Sequence, residues 1–226
     1  MALALPVWAR YFLPMTESLL PHLNPFECRV LGCLIEKKLL TPDVYPLTIN
    51  ALQSAANQKS SRDPVMAMAP DEIPGALKLL EAKGLAKRMP TSRVDRYAQE
   101  ADHRFTLTVA QCALLALLLL RGPQTVNELL MRSERMANFR DADHLREELD
   151  MMIGRNPPLI KEIGRAPGQR EDRFAHLLAG DVDVSTLAAS APRAPNPSQV
   201  SGLEERVRVL EEELAAMKAR LDAAGI

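Results

Sequence analysis

Arg93-Val94-Asp95-Arg96-Tyr97-Ala98 is echoed 77 residues later by Arg170-Glu171-Asp172-Arg173-Phe174-Ala175. Both runs have the period of a β-strand, which places Arg93, Asp95 and Tyr97 on one face and Arg96 on the other. Upstream, Leu23-x-x-x-Glu27-Cys28 recurs as Leu107-x-x-x-Gln111-Cys112 at an offset of 84, and Thr41 is matched to Thr125 at the same offset. Self-similarity over such a distance predicts two copies of one small domain. The shrinking offset is read as extra residues around Asn57 to Pro70 in the first copy, partly balanced by a longer turn at Asn156-Pro157-Pro158 in the second.

Each copy reads as three helices and a hairpin. A first helix over Pro25 to Leu40 places Phe26, Val30, Leu31, Leu34 and Ile35 on one face, the helical period. Asn24 before Pro25 is an N-cap followed by proline at the first helical position. A second helix is expected over Leu47 to Asn57, with Ile49, Leu52 and Ala56 inward. A third starts near Pro70-Asp71-Glu72, carries Ile73, Leu77 and Leu80, and stops at Gly84, a C-terminal cap. Leu85 to Met89 and Arg93 to Gln99 form the hairpin. The second copy has helices at about 108–121, 125–136 and 141–154. Its hairpin strands are Leu159 to Gly164 and Arg170 to Leu177. The expected fold class is therefore mainly α with small β-hairpins (α+β), namely two tandem winged-helix domains plus a C-terminal coiled-coil helix.

The expected boundaries are an N-terminal arm at 1–22, winged-helix domains at 23–100 and 101–180, a flexible linker at 181–200, and the coiled-coil helix at 201–226. The linker, DVDVSTLAASAPRAPNPSQV, is rich in Ala, Pro and Ser without periodicity. Beyond it Leu203, Val207, Leu210, Leu214, Met217 and Leu221 form a heptad seam. In a parallel pair Arg206 would face Glu211 and Glu213 would face Lys218, so the charges favour a homodimer. The competing reading is an amphipathic helix folded back on its own domain.

Composition narrows the function. The chain has 226 residues, 28 basic against 29 acidic, for a net charge of −1. That excludes a broadly basic, histone-like binder and leaves only local patches to attract nucleic acid. Aromatics are 4% of the chain, so aliphatic side chains must fill the core. Three Cys without a C-x-x-C pair exclude a disulfide framework and a zinc finger and suit a reducing cytoplasm. Residues 1–14 carry Pro6, Arg10 and Pro14 and lack a basic n-region, a poor signal peptide. The longest apolar run, Val109 to Leu120, is too short to span a bilayer, so no membrane association is expected.

The run from Leu23 through Lys38, the segment Tyr45-Pro46-Leu47-Thr48-Ile49-Asn50, and Asn57-Gln58-Lys59-Ser60-Ser61-Arg62-Asp63-Pro64-Val65-Met66 resemble the YceH family of uncharacterised bacterial proteins. The likeness continues through Gly164-Arg165-Ala166-Pro167-Gly168-Gln169-Arg170-Glu171 and into the heptads; residues 1–14 lie outside it. It implies tandem winged helices and a cytoplasmic bacterial protein, and no established activity.

No phosphate-binding glycine loop, H-E-x-x-H or Gly-x-Ser-x-Gly is present. The four His, at 22, 103, 144 and 176, lack metal-ligand spacing. A non-enzymatic protein with no cofactor, no metal and no catalytic residues is expected, and Cys28 and Cys112 read as core. The third helices disfavour DNA, since the second copy's carries Asp141, Asp143, Glu147, Glu148 and Asp150 against Arg146 alone. The hairpins are basic: Lys87, Arg88, Arg93 and Arg96 in the first, and Lys161, Arg165, Arg170 and Arg173 in the second. These eight either touch phosphates or form salt bridges within the hairpins. The loop Asn57, Gln58, Lys59, Arg62, Asp63, Pro64, Val65, Met66 is either a recognition surface or a plug, with Val65 and Met66 filling the gap between the copies and Arg62 and Asp63 satisfied internally. The leading expectation is accordingly a DNA-binding or transcription-regulatory protein that meets duplex DNA through its basic wings, and the alternative is a protein–protein scaffold without nucleic-acid binding.

Overall fold

A computed structural model describes residues 20–165 and 171–181, together with Arg208 and Met217. The chain divides into two compact units, Met1–Val184 and Ser185–Ile226. In the second unit, Arg208 and Met217 are helical and exposed.

The first unit mixes seven α-helices with small antiparallel sheets among its described residues. Helix α1, Pro25–Leu40, starts on a capping box: Asn24 Oδ1 accepts from the Glu27 N–H at 2.9 Å, and Glu27 Oε2 accepts from the Asn24 N–H at 2.8 Å. A 3-10 turn at Pro42–Val44 follows, then strand β1, Leu47–Thr48, and helix α2, Ile49–Ala56. The expected second helix thus loses its first two residues to a strand. Thr48 is extended and its side chain accepts from the Ala51 N–H, so the helix can begin only after it.

Helix α3, Glu72–Ala82, leads into the hairpin of β2, Ala86–Met89, and β3, Arg96–Gln99. Strand β3 lies centrally in the order β1-β3-β2, with Tyr97 opposite both Leu47 and Arg88. A short helix the sequence pattern did not suggest, α4 at Ala101–Phe105, joins the copies. It is held by Gln99, whose Oε1 accepts from the Ala101 N–H at 2.7 Å.

The second copy comprises α5, Val109–Arg121, α6, Val126–Ser133, α7, Ala142–Ile153, and the hairpin β4, Ile160–Ile163, with β5, Arg173–His176. Helices α5 and α6 also start on capping boxes, Thr108 with Gln111 and Thr125 with Glu128. A single bridge between Gln124 and Phe174 stands where β1 meets β3 in the first copy.

The cap of α6 corrects the repeat alignment. Its counterpart is Thr48, the cap of α2, and not Thr41, which lies at the C-terminal end of α1. The offset therefore falls from 84 at the first helices (Asn24 to Thr108) to 77 at the second (Thr48 to Thr125). The first copy's earliest extra residues lie in its longer α1 and the 3-10 turn.

The buried side chains of both copies form one cluster. Helix α1 packs along α5, and Leu31, Leu34, Leu114, Leu115 and Leu118 are fully buried. Gly32 faces Leu120 in this contact, where a β-carbon would lie 2.8 Å from Leu120 Cγ. Phe26, expected on the core face, is 37% exposed, whereas its neighbours Glu27 and Cys28 in the first turn of α1 are buried.

Candidate functional site

The pleat of the first hairpin buries Ala86 and exposes Lys87, Arg88 and Met89. Arg88 pairs with Asp95 at 2.5 Å across the hairpin. Arg96 turns the other way and donates from Nη1 to the carbonyl of Pro46 at 2.7 Å, tying β3 to the turn before α2. The side chains of Lys87 and Arg93 are exposed with no hydrogen bond or ion pair among the described residues.

Arg173 repeats the arrangement of Arg96, donating from Nη1 to the carbonyl of Pro123 at 2.8 Å and to Glu128 at 3.1 Å. Lys161 pairs with Asp181 at 2.9 Å and Arg165 with Asp172 at 3.3 Å. Arg170 lies outside the described residues. Beside this hairpin, α7 exposes Asp143, Glu147 and Asp150. Its Arg146 is held by Glu162 at 2.7 Å and Asp150 at 3.0 Å, 4.8 Å above the Phe174 ring. The electrostatic character of the second copy at this helix is anionic.

The loop between α2 and α3 is built around Arg62, which is 5% exposed. Its Nη1 and Nη2 donate to the two oxygens of Glu36 at 3.0 and 2.6 Å, its Nε to the Ala55 carbonyl at 3.1 Å, and Nη1 also to the Ser61 carbonyl at 2.8 Å. A forked pair of this kind is both strong and directional. Although burial alone lowers an arginine's pKa, the hydrogen bonds it donates to Glu36 raise that of Arg62 above its ordinary value. Asn57 closes the loop by exchanging two hydrogen bonds with the Met68 backbone, at 2.7 and 2.9 Å. The Asp63 N–H donates to the Leu120 carbonyl at 2.9 Å, so the loop is pinned to the end of α5.

Of the loop residues singled out from sequence, Arg62 and Asn57 are structural struts, and Met66 packs partly against the core. Gln58 is half-buried. Lys59, Asp63, Pro64 and Val65 are exposed. The plug reading fits Arg62, but the Asp63 side chain, expected to be satisfied internally, is exposed, and Val65, expected to fill a gap, is 58% exposed.

Three functional-looking residues escaped the sequence reading. Arg29 is 2% exposed and donates to the carbonyls of Ala56 at 3.1 Å and Pro64 at 2.5 Å. Glu36 receives Arg62. Arg121 ends α5 with its Nε buried and unpartnered. The spacing of Arg29, Cys33 and Glu36, four and three residues apart, marks a polar stripe on one face of an apolar helix, a signal the apolar pattern obscured.

Cys28, Cys33 and Cys112 are buried free thiols. Burial pushes their pKa values up to about 12, 11 and 12, respectively, the opposite of an activated nucleophile. No group of His, Cys, Asp and Glu that could hold a metal occurs among the described residues. No described helix is long and apolar enough to cross a membrane. Of the heptad seam, Leu203, Val207, Leu210, Leu214 and Leu221 lie outside the described residues, and Met217 is 58% exposed.

Residues 23–169 match the family model described as "Protein of unknown function, DUF480". A UPF0502 protein of Mesorhizobium japonicum is 62% identical, with 93% of this chain and all of the relative covered. A UPF0502 protein of Xanthomonas campestris pv. campestris is 48% identical over the same share of each. One of Stenotrophomonas maltophilia is 47% identical, covering 92% of this chain and 98% of the relative.

Proposed function

The chain belongs to the DUF480 family of bacterial proteins of unknown function, and we propose that it is a non-enzymatic tandem winged-helix module that binds protein partners. The observation that carries this reading is the use made of the hairpin cations. Arg96 and Arg173 spend Nη1 on proline carbonyls at equivalent places in the two copies. Arg88, Lys161 and Arg165 each face an aspartate. A wing that reads phosphate keeps its cations free to displace counterions. The exposed carboxylates of α7 further oppose a phosphate backbone.

Self-association through a parallel C-terminal coiled coil belongs to the same proposal. It is supported by the heptad spacing and by the exposure of Met217. A cytoplasmic location is supported by the three free thiols.

Duplex DNA is the second reading, favoured by the unpartnered Lys87 and Arg93 on the first hairpin. Fluorescence anisotropy with a random-sequence duplex, titrated from low to physiological salt, separates the two. Protein recognition predicts no binding at low salt. Micromolar binding that weakens with salt, at a log–log slope of about 0.9 per neutralised phosphate, and that disappears in a Lys87→Ala/Arg93→Ala variant would establish the DNA reading instead.

A further inference from the structure

We propose that helix α3 docks on helix α7 of a second copy of this chain, a contact that goes beyond the C-terminal heptads and does not rest on them. The two helices are equivalent in the repeat. Ile73, Ala76, Leu77 and Leu80 of α3 are buried, and so are the residues 72 positions on, Leu145, Glu148, Leu149 and Met152 of α7. The same offset matches the outward positions. Leu79 and Met151 are 45% and 53% exposed, Lys78 stands where Asp150 does, and Gly75 stands where Glu147 does. An exposed apolar residue thus lies beside a cation on one helix and beside carboxylates on the other, which makes the two faces complementary.

Gly75 supplies an independent observation. Glycine inside a helix is disfavoured relative to alanine. Gly32 in α1 is accounted for by its approach to Leu120, but a β-carbon at Gly75 would meet nothing within 4 Å. Its φ is not positive either, so neither the backbone nor the chain's own packing calls for glycine there. Gly75, Leu79 and Ala82 are exposed on α3 together with Lys78. The distance between packed helices is set by the side chains at the contact, and a bare position on an outward face admits a close neighbour.

Charge selects the occupant. Asp71 and Asp143 stand at the N-terminal ends of the two helices, where the helix dipole favours them, and the faces differ beyond. On α3 the Lys78 side chain has no partner among the described residues. Lys83 pairs with Glu27, Glu72 accepts from the Ala69 N–H, and Glu81 joins Asp95 in supporting the Arg88 cation. Lys87 and Arg93 on the following hairpin add exposed cations. On α7 the Glu147 side chain has no partner among the described residues, and one guanidinium, that of Arg146, serves both Asp150 and Glu162. Glu148 is buried against Gln111, Lys161 is taken by Asp181, and Arg140 precedes the cap at Asp141. Docking sets Leu79 against the partner's Met151 and Lys78 against the partner's Glu147. A phosphate backbone offers nothing apolar to Leu79, whereas a surface with both the apolar residue and the matching charge is present on this chain. Because each chain carries both faces, the contact is heterologous and joins like chains.

The test co-expresses two forms of the full chain, Leu79→Cys with an affinity tag and Met151→Cys without one, and oxidises them mildly. The native thiols are buried and stay out of the reaction. A disulfide between tagged and untagged chains is expected, with far less linked dimer from either form expressed alone. Equal yields in all three samples would mean association through the heptads or by collision and overturn the proposal. Lys78→Glu in the tagged chain should abolish the mixed disulfide, and Glu147→Lys in the untagged chain should then restore it; failure to restore it overturns the pairing of the two faces. Gly75→Leu in the tagged chain should lower the yield while leaving the urea midpoint no lower than the parent's, and an unchanged yield counts against the close approach. No mixed disulfide, together with weakened duplex affinity in Lys78→Glu, would assign the α3 face to DNA. No mixed disulfide with duplex affinity unchanged would assign it to a different protein, and either result overturns the second copy as occupant.

Discussion

Gly32 and Leu120 meet where the two copies join, so closely that an added β-carbon would lie 2.8 Å from Leu120 Cγ and 3.1 Å from Leu119 Cβ. The backbone of α1 approaches α5 because one residue in the contact has no side chain. Gly32→Ala should therefore destabilise the protein despite the higher helix propensity of alanine. Overpacking of this kind costs about 1–3 kcal/mol, read as a lower urea midpoint. Leu120→Ala in the Gly32→Ala background should cost less than it does alone, because the two side chains compete for one space.

Arg62 and Glu36 form a buried pair, with the Arg62 side chain fully enclosed. Arg62→Ala leaves the buried Glu36 carboxylate with Lys37 alone, at 3.4 Å, and should cost up to about 3–5 kcal/mol. The joint replacement Arg62→Met with Glu36→Leu should be clearly milder. Denaturant melts of the two variants check this, and equal losses in the single and joint replacements would contradict the proposed role of the pair.

Arg96 and Arg173 predict a matched phenotype from residues 77 positions apart. Each donates to a proline carbonyl before the second helix of its copy. Losing a charge-assisted hydrogen bond costs about 1.5–3 kcal/mol, so Arg96→Ala and Arg173→Ala should each lower the melting temperature. Arg93→Ala, whose side chain is exposed and unpartnered, should leave it unchanged. Scanning calorimetry at neutral pH distinguishes these outcomes.

His176 supplies a pH dependence. Burial pushes its pKa down to about 4, and its Nδ1 has no hydrogen-bond partner among the described residues. The unfolded chain protonates this ring near pH 6.5, so between pH 6.5 and 4 the unfolded state binds the extra proton. The stability associated with neutral His176 is thus fully present above pH 6.5 and is lost as pH falls through 4. His176→Phe should flatten the stability profile in that window, measured by urea denaturation at half-unit steps.

Much of the local structure was legible because it depends on neighbours within one helical turn. Asn24, Pro25 and Glu27 mark the start of α1, and the first helix runs over Pro25–Leu40 as its spacing predicts. Both hairpins stand where the repeated strand motif places them, in shorter form. Thr48 is both the cap of α2, accepting from the Ala51 N–H, and a strand residue opposite Arg96; the cap is a local signal, while the strand pairing depends on a residue 48 positions away.

The amino-acid sequence by itself determined the start of the first helix at Asn24, most of its apolar face and the places of the two hairpins, all of which follow from periodicity or from contacts a few residues apart. Only the tertiary structure decided what the charged residues do. Arg96 is occupied by a carbonyl 50 positions away, Arg62 by a carboxylate 26 away, and Arg121 has no acceptor among the described residues. A cation carries the same signature in a sequence whether it faces water, a phosphate or a buried glutamate. Its role is set by which distant acceptors packing brings within about 3 Å, the reach of a hydrogen bond.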